Sequence, residues 1–307
     1  MKLNIFVTGG SGLLGSTLLR YAPQDVVLFA NFYTNRLLPQ VNNTTFFQLD
    51  IRDKKKLTAL FKKVKPHVVL HTAAKSSPDF CEFNRDESWD INVQGTRNVL
   101  FAGETVGAKV IFTSSNQVFS GEKPPYAEDS PRDPVNWYGK TKVQSEKDVL
   151  TTNNAMVARL MTMYGWNNPV GQKNTATWVI DMLSNKKPIK VVDDVFNNFL
   201  WVGQAAETLW KLALNDYNVR LVNIAGGEIS NRYDFARKVA SMFSLDKKMI
   251  TPVRKSYFKE EAPRPLNTIY DISLYEKMFK LKSSSLQQGL KEMKRIERGI
   301  AWQMSDE

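Results

Sequence analysis

The feature that most constrains how this chain can fold is a glycine-rich loop, TGGSGLLG, at Thr8–Gly15. It follows a short apolar run, Leu3–Val7, and leads into an apolar helical pattern at Leu13–Tyr21. Glycine allows a tight turn between strand and helix, and the helix N-terminus offers unpaired N–H groups to an anion. A merely flexible turn is the competing interpretation, but the strand and helix on either side favour a pyrophosphate-binding loop. The contacts predicted here for a dinucleotide are Gly9, Ser11, Gly12, Leu13 and Leu14.

The first half of the chain alternates apolar runs with helical patterns, as βαβ units do. The candidate strands are Leu3–Val7, Val26–Ala30, Thr45–Leu49, Val68–His71, Lys109–Thr113 and Ala155–Leu160. The candidate helices between them are Leu13–Tyr21, Lys54–Lys63, Trp89–Val106 and Tyr138–Leu150. This alternation predicts an α/β fold with a Rossmann-type, doubly wound parallel sheet.

The pattern changes after Tyr164, which indicates a second, smaller α/β lobe. Its candidate elements are a helix at Thr177–Leu183, a strand at Lys190–Phe196, a helix at Gly203–Leu214, a strand at Leu221–Ala225, a helix at Asn231–Phe243, a loop-rich stretch at Pro252–Pro265 and an amphipathic C-terminal helix. We expect residues 1–163, with returning segments at about 189–226 and 268–282, to form the dinucleotide-binding domain. We expect residues 164–188, 227–267 and 283–307 to form the substrate lobe.

Composition excludes several functional classes. The 307 residues carry a formal net charge of +11, but the lysines are scattered and accompany no recognisable nucleic-acid-binding module. The N-terminal apolar run is too short for a signal peptide or a membrane span. The single cysteine, Cys81, excludes an internal disulfide and suits a reducing compartment. We therefore expect a cytoplasmic protein with no nucleic-acid or membrane partner and no metal site; a homodimer is the assembly to test.

The end of the second strand bears on the choice of cofactor. An enzyme specific for NAD places an acidic residue there to bind the ribose hydroxyls, whereas this chain has Asn31. Arg36 follows shortly, and its guanidinium could pair with a 2′-phosphate. The sequence therefore favours NADPH and leaves NADH open. The alternative for Arg36 is an ordinary solvated arginine in a loop.

The ends of the next strands supply further cofactor contacts. Asp50 and Ile51 are predicted to bind the adenine, although Asp50 or Asp53 could instead cap the helix that follows. The small residues Ala73 and Ala74 would let a ribose lie against the backbone. Thr113 is predicted as a further cofactor contact and Lys75 as a substrate contact. His71 is predicted to be a hydrogen-bonded core residue.

Tyr138 and Lys142 carry the clearest indication of chemistry. Residues at i and i+4 share one helix face, and a nearby ammonium is expected to lower the pKa of the Tyr138 phenol from about 10 towards neutrality. Such a tyrosine could deliver a proton to a carbonyl oxygen while hydride arrives at the carbon. Ser115, at the end of the fifth strand, would bind the same carbonyl.

Together these motifs resemble the extended short-chain dehydrogenases, and most of all the dTDP-4-dehydrorhamnose reductases. The resembling stretches are TGGSGLLG, HTAA, INVQGTRNV, TSSNQVFSGEKPPYAEDSPRDPVNWYGKTKVQSE, VVDDVFNNFLWV, GGEISNRYDFA and RPLNTIYD. The resemblance implies that Ser115, Tyr138 and Lys142 form a catalytic triad, with Lys142 orienting the nicotinamide ribose. It also implies that Arg264 faces a nucleotide diphosphate. The activity implied is NADPH-dependent reduction of the 4-keto group of a nucleotide-activated deoxysugar, as in dTDP-rhamnose and polysaccharide biosynthesis.

Two departures from the family pattern lie where the sugar ring is expected. Asn116 and Gln117 stand in place of an Asp-Tyr pair that contacts the sugar, and Thr162 replaces a tryptophan. Asn116 and Gln117 are nevertheless predicted to bind substrate. Two alternatives remain open: an NAD-dependent nucleotide-sugar epimerase or dehydratase, and a non-catalytic NADP-binding regulatory subunit. The second resembles the beta subunit of methionine adenosyltransferase, which itself resembles these reductases.

Overall fold

A parallel sheet forms the centre of the computed structural model, which describes residues 2–300 and 302–304. The strands are β1 Leu3–Thr8, β2 Val26–Phe32, β3 Leu37–Pro39, β4 Thr44–Gln48, β5 Val68–His71, β6 Lys109–Ser115, β7 Ala155–Leu160, β8 Met163–Tyr164, β9 Ile189–Val192, β10 Phe196–Asn197, β11 Leu200–Trp201, β12 Leu221–Ile224, β13 Ser230–Asn231, β14 Ile250–Val253 and β15 Trp302–Met304. Within the described residues, the central sheet has seven strands in the order β12-β7-β6-β5-β1-β2-β4.

Helices cover both faces of this sheet. They are α1 Leu13–Arg20, α2 Lys54–Val64, α3 Pro78–Phe83, α4 Arg85–Trp89, α5 Gly95–Glu104, α6 Trp137–Thr151, α7 Thr175–Ser184, α8 Val202–Leu214, α9 Arg232–Met242, α10 Ser273–Phe279 and α11 Leu286–Ile296. Leu18 and Leu209 belong to the apolar layer that contains α1 and α8. Phe61 and Val99 belong to a second layer, which contains α2 and α5. The predicted doubly wound α/β fold is therefore confirmed.

All six strands predicted in the first half lie in the central sheet, where they pair in parallel. The chain runs outwards from β1 through β2 to β4, then returns to β5 and continues to the opposite edge. This reversal leaves a crevice at the carboxyl ends of β1 and β5, the position at which such sheets bind ligands. The predicted strand Leu221–Ala225 also returns to the sheet, as β12 beside β7.

The second half departs from the predicted elements at Lys190–Phe196 and at the start of Pro252–Pro265. The single strand predicted at Lys190–Phe196 is two strands, of which β9 pairs with β14 and β10 pairs with β13. The chain turns between them because the Asp193 amide bonds to the Val253 carbonyl and the Asp194 carboxylate accepts the Lys255 amide. The stretch predicted as a loop at Pro252–Pro265 therefore begins inside a strand. The proposed division into a dinucleotide domain and a substrate lobe stays a prediction.

The long helix predicted at Trp89–Val106 contains a π-helical turn, Asp90–Gln94, between α4 and α5. Such turns are frequent at functional sites. Here the turn presents Asn92, whose side chain bonds both main-chain groups of Lys75 and the hydroxyl of Thr141. The turn thus connects the end of β5 with α6. Of the residues described, none lies in a helix long and apolar enough to span a membrane, and none belongs to a cluster of metal-ligating side chains.

Candidate active site

The glycine-rich loop is fixed by Asn31, which is 2% exposed at the end of β2. The Gly10 amide bonds to the Asn31 carbonyl at 2.8 Å, and the Gly9 amide bonds to its side-chain oxygen at 3.3 Å. The Asn31 amide group in turn donates to the Leu49 carbonyl at 2.7 Å. A Cβ at Gly15 would overlap the Gly9 carbonyl oxygen, so only glycine lets α1 begin this close to the loop.

The start of α1 is suited to an anion. Its N-cap is Gly12, which has no side chain to bond the first amides, whereas Asp53 caps α2 and Asn136 caps α6 through their side chains. The N-terminal end of the α1 dipole is therefore left for a ligand. Asp53 is the residue that caps α2 through its side chain, so Asp50 is not the cap of that helix.

A cavity of about 280 Å³ lies beside this loop. The predicted site residues that line it are Gly9, Ser11, Gly12, Asn31, Asp50, Ile51, Ala73, Ala74 and Lys75. Leu14 is buried in the core next to it and Leu13 packs on that core. The structure does not bring Arg36 to this cavity; Arg36 lines a separate surface depression with Val170.

Arg52, which no sequence motif indicated, lies in the cavity instead. Its Nε and Nη2 donate to Asp50 Oδ2 at 2.8 and 2.6 Å. Burial opposes the effect, but these bonds hold the pKa of Asp50 below its ordinary value. The Tyr33 ring, 5.8 Å from the Arg52 guanidinium, completes this end of the cavity. The sequence signal that could have indicated Arg52 is its position two residues after Asp50, the acidic residue at the end of the third predicted strand.

The carboxyl end of β5 is held by the buried His71. Its ring nitrogens bond to the hydroxyls of Thr8 at 2.7 Å and Thr96 at 3.0 Å. Burial, with a smaller effect from Lys142, lowers the pKa of His71 to about 3, so the ring is neutral. The prediction of a hydrogen-bonded core histidine is confirmed. The Thr8 hydroxyl also accepts the amides of Thr72 and Ala73, which fixes the backbone at the cavity wall.

Tyr138 and Lys142 lie on α6 against the end of β6, as their spacing predicted, and both are buried. The Lys142 ammonium donates to the Thr113 carbonyl at 2.9 Å. Burial lowers the pKa of Lys142 to about 8, although Glu146 counteracts the shift. Thr113 itself is anchored because its hydroxyl bonds to the His71 carbonyl.

The expected lowering of the Tyr138 pKa is wrong. Burial raises the pKa of Tyr138 above its ordinary value, and a hydrogen bond with Ser115 offsets only part of this effect. The ammonium of Lys142 bonds to the Thr113 carbonyl and lies 5.9 Å from the centre of the Tyr138 ring. Desolvation therefore outweighs the cation, and the phenol keeps its proton at neutral pH.

Asn116 and Gln117 use their side chains within the protein. Asn116 donates to the Thr268 hydroxyl at 2.6 Å. Gln117 accepts from Asn136 at 2.8 Å, and Asn136 caps α6 by accepting the Gly139 amide at 2.9 Å. A Cβ at Gly139 would overlap the Gln117 carbonyl oxygen. Gln117 thus positions the start of α6, immediately beside Tyr138, whereas Asn116 ties the end of β6 to Thr268.

A buried ion pair anchors the same helix from its other side. Glu146 on α6 accepts two bonds from Arg159 on β7, at 2.8 and 2.9 Å, and one from the Ser114 hydroxyl at 2.6 Å. Arg132 approaches the second carboxylate oxygen at 3.2 Å. We refer to the unit formed by β6, α6 and β7 around this pair as the catalytic wall.

A second cavity, of about 600 Å³, lies between α7, β9, α9 and the segment from β14 to α10, which includes Pro265. We call it the cationic pocket. Its charged side chains are Lys173, Lys190, Arg232, Lys255, Lys259, Arg264, Asp79, Glu260 and Glu261. Pro263, next to Arg264, accepts a bond from Asn136 at 2.8 Å, which ties this pocket to the start of α6. A larger cavity, of about 930 Å³ between α9 and α11, contains none of the predicted site residues.

The model of one protein family, the RmlD substrate-binding domain, matches residues 1–298. The chain belongs to this family. The resemblance inferred from the sequence motifs is therefore confirmed.

Two curated relatives of this RmlD-family chain differ in role. It is 30% identical to methionine adenosyltransferase 2 subunit beta of Xenopus laevis, over 89% of this chain and 81% of that protein. It is 27% identical to a spore coat polysaccharide biosynthesis protein of Bacillus subtilis, over 86% of this chain and 88% of that protein. The relatives therefore include both a subunit of an enzyme and a biosynthetic protein, and sequence similarity alone does not choose between these roles.

Solved structures of RmlD-type reductases share the whole fold. The dTDP-4-dehydrorhamnose reductase of Bacillus anthracis in complex with NADP is 25% identical, with a TM-score of 0.83, over 96% of this chain and 99% of that one. The Clostridium acetobutylicum reductase gives the same identity and TM-score, over 96% and 100% of the two chains. These neighbours support an oxidoreductase of the type that uses NAD or NADP.

Proposed function

We propose that this protein reduces the 4-keto group of a nucleotide-activated deoxysugar with NADPH. The observation that carries the proposal is the position of Tyr138, Ser115 and Lys142 at the carboxyl end of β6. Tyr138 is in hydrogen-bond contact with Ser115 and keeps its proton. A protonated phenol within hydrogen-bond reach of a carbonyl oxygen can act as the general acid that protonates it.

The dinucleotide cavity fits such a cofactor. Gly15 has no Cβ to overlap the Gly9 carbonyl, so the loop can turn tightly and leave room for a pyrophosphate. The start of α1 has no side-chain cap, so the positive end of its dipole can face that anion. Asn31 places a neutral amide at the end of β2, where a carboxylate would repel the 2′-phosphate of NADPH. Gly9, Ser11, Gly12 and Leu13 would hold the diphosphate, and Arg52 would meet the adenosine ribose. When bound, NADPH supplies the hydride.

The chain's own residues then handle the proton. As hydride reaches the carbonyl carbon, Tyr138 gives its phenolic proton to the carbonyl oxygen, and the product is an alcohol. Ser115 donates a hydrogen bond to that oxygen as negative charge develops. Lys142, fixed on the Thr113 carbonyl, has further N–H groups for the nicotinamide ribose and lowers the cost of the transient phenolate.

The cationic pocket supports a nucleotide diphosphate as the carrier of the sugar. Arg232 and Arg264 lie close enough for Arg264 to depress the pKa of Arg232, after the larger effect of burial. Two guanidinium groups at one site match the charge of a diphosphate. The bond from Asn136 to Pro263 places this pocket beside the catalytic wall, so a sugar attached to the diphosphate would extend towards Tyr138.

The test is NADPH oxidation, followed by absorbance, with 4-keto-6-deoxy sugars carried on dTDP, UDP or GDP. Tyr138→Phe should slow turnover by roughly a hundredfold or more while leaving NADPH affinity, measured by fluorescence, within about twofold. If Tyr138→Phe kept full activity on the true substrate, the assignment of the proton donor would be wrong.

A second candidate is a regulatory subunit, and two observations favour it. The chain is 30% identical to a protein named as a methionine adenosyltransferase subunit, and the side chain of Asn116 is hydrogen-bonded within the protein, to Thr268 at 2.6 Å and Ser115 at 3.3 Å. Stable copurification with a methionine adenosyltransferase, together with NADPH binding but no oxidation by any 4-keto sugar, would establish it. An NAD-dependent epimerase or dehydratase is disfavoured by Asn31.

A further inference from the structure

Arg264, the residue expected to meet the diphosphate, is already bound by a carboxylate. Its Nη1 and Nη2 donate to the two oxygens of Asp79 on α3 at 2.8 and 2.7 Å. Nη1 also donates to the Ala262 carbonyl at 2.6 Å. This parallel pair of bonds is the geometry in which arginine binds a phosphate. A diphosphate and Asp79 therefore compete for the same edge of the guanidinium.

Asp79 also holds the backbone of the pocket. Its Oδ1 accepts the Ala262 amide at 3.1 Å, so one carboxylate fixes both the side chain and the main chain of the segment 262–264. One turn further along α3, Glu82 accepts the Trp137 amide at the start of α6 at 3.0 Å. Helix α3 thus connects the pocket segment with the helix that carries Tyr138.

Other side chains of the cationic pocket carry positive charge that Asp79 does not neutralise. The Nε of Arg232 is buried and has no hydrogen-bond partner among the described residues. A buried donor left without a partner is costly. Six cationic side chains and three carboxylates line the pocket, so a positive charge remains even with Asp79 in place.

We propose that Asp79 is a latch on the cationic pocket: it occupies the guanidinium of Arg264 and is displaced when the diphosphate of a nucleotide binds. The latch rests on the proposed function, since it assumes that this pocket takes a nucleotide diphosphate. Asp79 is thus an affinity-determining residue. It keeps Arg264 neutralised, and the segment 262–264 docked on α3, until a dianion of higher charge replaces it.

The experiment measures the binding of dTDP and of UDP to the full chain by calorimetry, in wild type, Asp79→Asn and Asp79→Ala. Exposed ion pairs contribute up to about 1 kcal/mol, which converts to about fivefold in affinity. Both variants should therefore bind one of these nucleotides about fivefold more tightly, with NADPH affinity unchanged. Glu261→Gln is the matched control, because it removes a negative charge from the same pocket without touching Arg264, and it should change affinity less than twofold.

A double-mutant cycle isolates the latch from simple charge removal. In an Arg264→Ala background, Asp79→Asn should no longer tighten nucleotide binding, because no guanidinium is left to release. Equal tightening by Asp79→Asn and Glu261→Gln, or no tightening by either Asp79 variant, would overturn the latch while leaving the proposed function in place. If neither dTDP nor UDP binds to any variant, the latch fails, whereas the proposed function is decided separately by NADPH oxidation with the 4-keto sugars.

Discussion

Two arginine–carboxylate pairs, one in the catalytic wall and one at the cationic pocket, show how differently these two regions are built. In the catalytic wall, the side chains of Glu146 and Arg159 are 0% and 2% exposed. At the cationic pocket, those of Asp79 and Arg264 are 39% and 26% exposed. Both pairs have parallel bonds of 2.7–2.9 Å. Their lengths are equal, but their surroundings are not.

The difference teaches which contacts can change during function. A buried pair cannot be opened without leaving a charge in a medium that solvates it poorly, so it fixes β7 and α6 permanently. A half-exposed pair is screened by water and can exchange its carboxylate for another anion at small cost. The proposed proton transfer, which depends on fixed positions, is therefore assigned to the wall, and the proposed nucleotide recognition, which depends on exchange of anions, is assigned to the pocket.

The largest expected effect compares the two pairs by isosteric substitutions. Glu146→Gln should lower the free energy of unfolding by about 3 kcal/mol or more, because Arg159 loses its charged partner in the interior. Asp79→Asn should lower it by less than about 1 kcal/mol. Urea unfolding followed by circular dichroism measures both, and similar losses in the two variants would remove the distinction between the regions.

The next effect concerns the buried charge of Lys142. Its pKa is lowered from 10.5 to about 8 in the folded protein, so between these values the unfolded chain binds more protons and stability rises with pH. Lys142→Met removes this contribution. The difference in unfolding free energy between wild type and variant should therefore shift in favour of wild type by about 2 kcal/mol from pH 7 to pH 10. A difference that does not vary with pH would show that Lys142 is solvated.

A third prediction separates the two binding sites. Gly15→Ala places a methyl group against the Gly9 carbonyl, and overpacking of this kind costs about 1–3 kcal/mol. NADPH should bind roughly 10- to 100-fold more weakly, whereas dTDP or UDP binding at the cationic pocket should be unaffected. Joint loss of both ligands in a variant that remains folded would mean that the two sites are not independent.

The smallest expected effect decides whether Arg52 or Arg36 selects NADPH over NADH. Arg52 lines the dinucleotide cavity and Arg36 does not. Arg52→Ala should therefore weaken NADPH relative to NADH by about fivefold, and Arg36→Ala should change that ratio less. The reverse result would restore the interpretation drawn from the sequence, and equal affinity of wild type for NADPH and NADH would refute a preference for NADPH.

The doubly wound architecture could be predicted from the sequence, and so could the helix that carries the proposed proton donor. Local patterns predicted six strands, the loop at Thr8–Gly15 and the helix that carries Tyr138 and Lys142. Each of these patterns lies within one short stretch of the sequence. Strand periodicity, helix spacing and turn chemistry are local properties, so they can be read directly. The place of His71 in the core was predicted for the same reason, since it ends a continuous apolar run.

Only the tertiary structure decided the electrostatics and the partners. The raised pKa of Tyr138 is caused by its burial in the folded chain, and the Asp79–Arg264 pair joins residues 185 positions apart. Arg52 rather than Arg36 enters the cavity because Asp50 directs it there. Desolvation and ion pairing depend on distance in space, which the order of residues does not specify until the chain has folded.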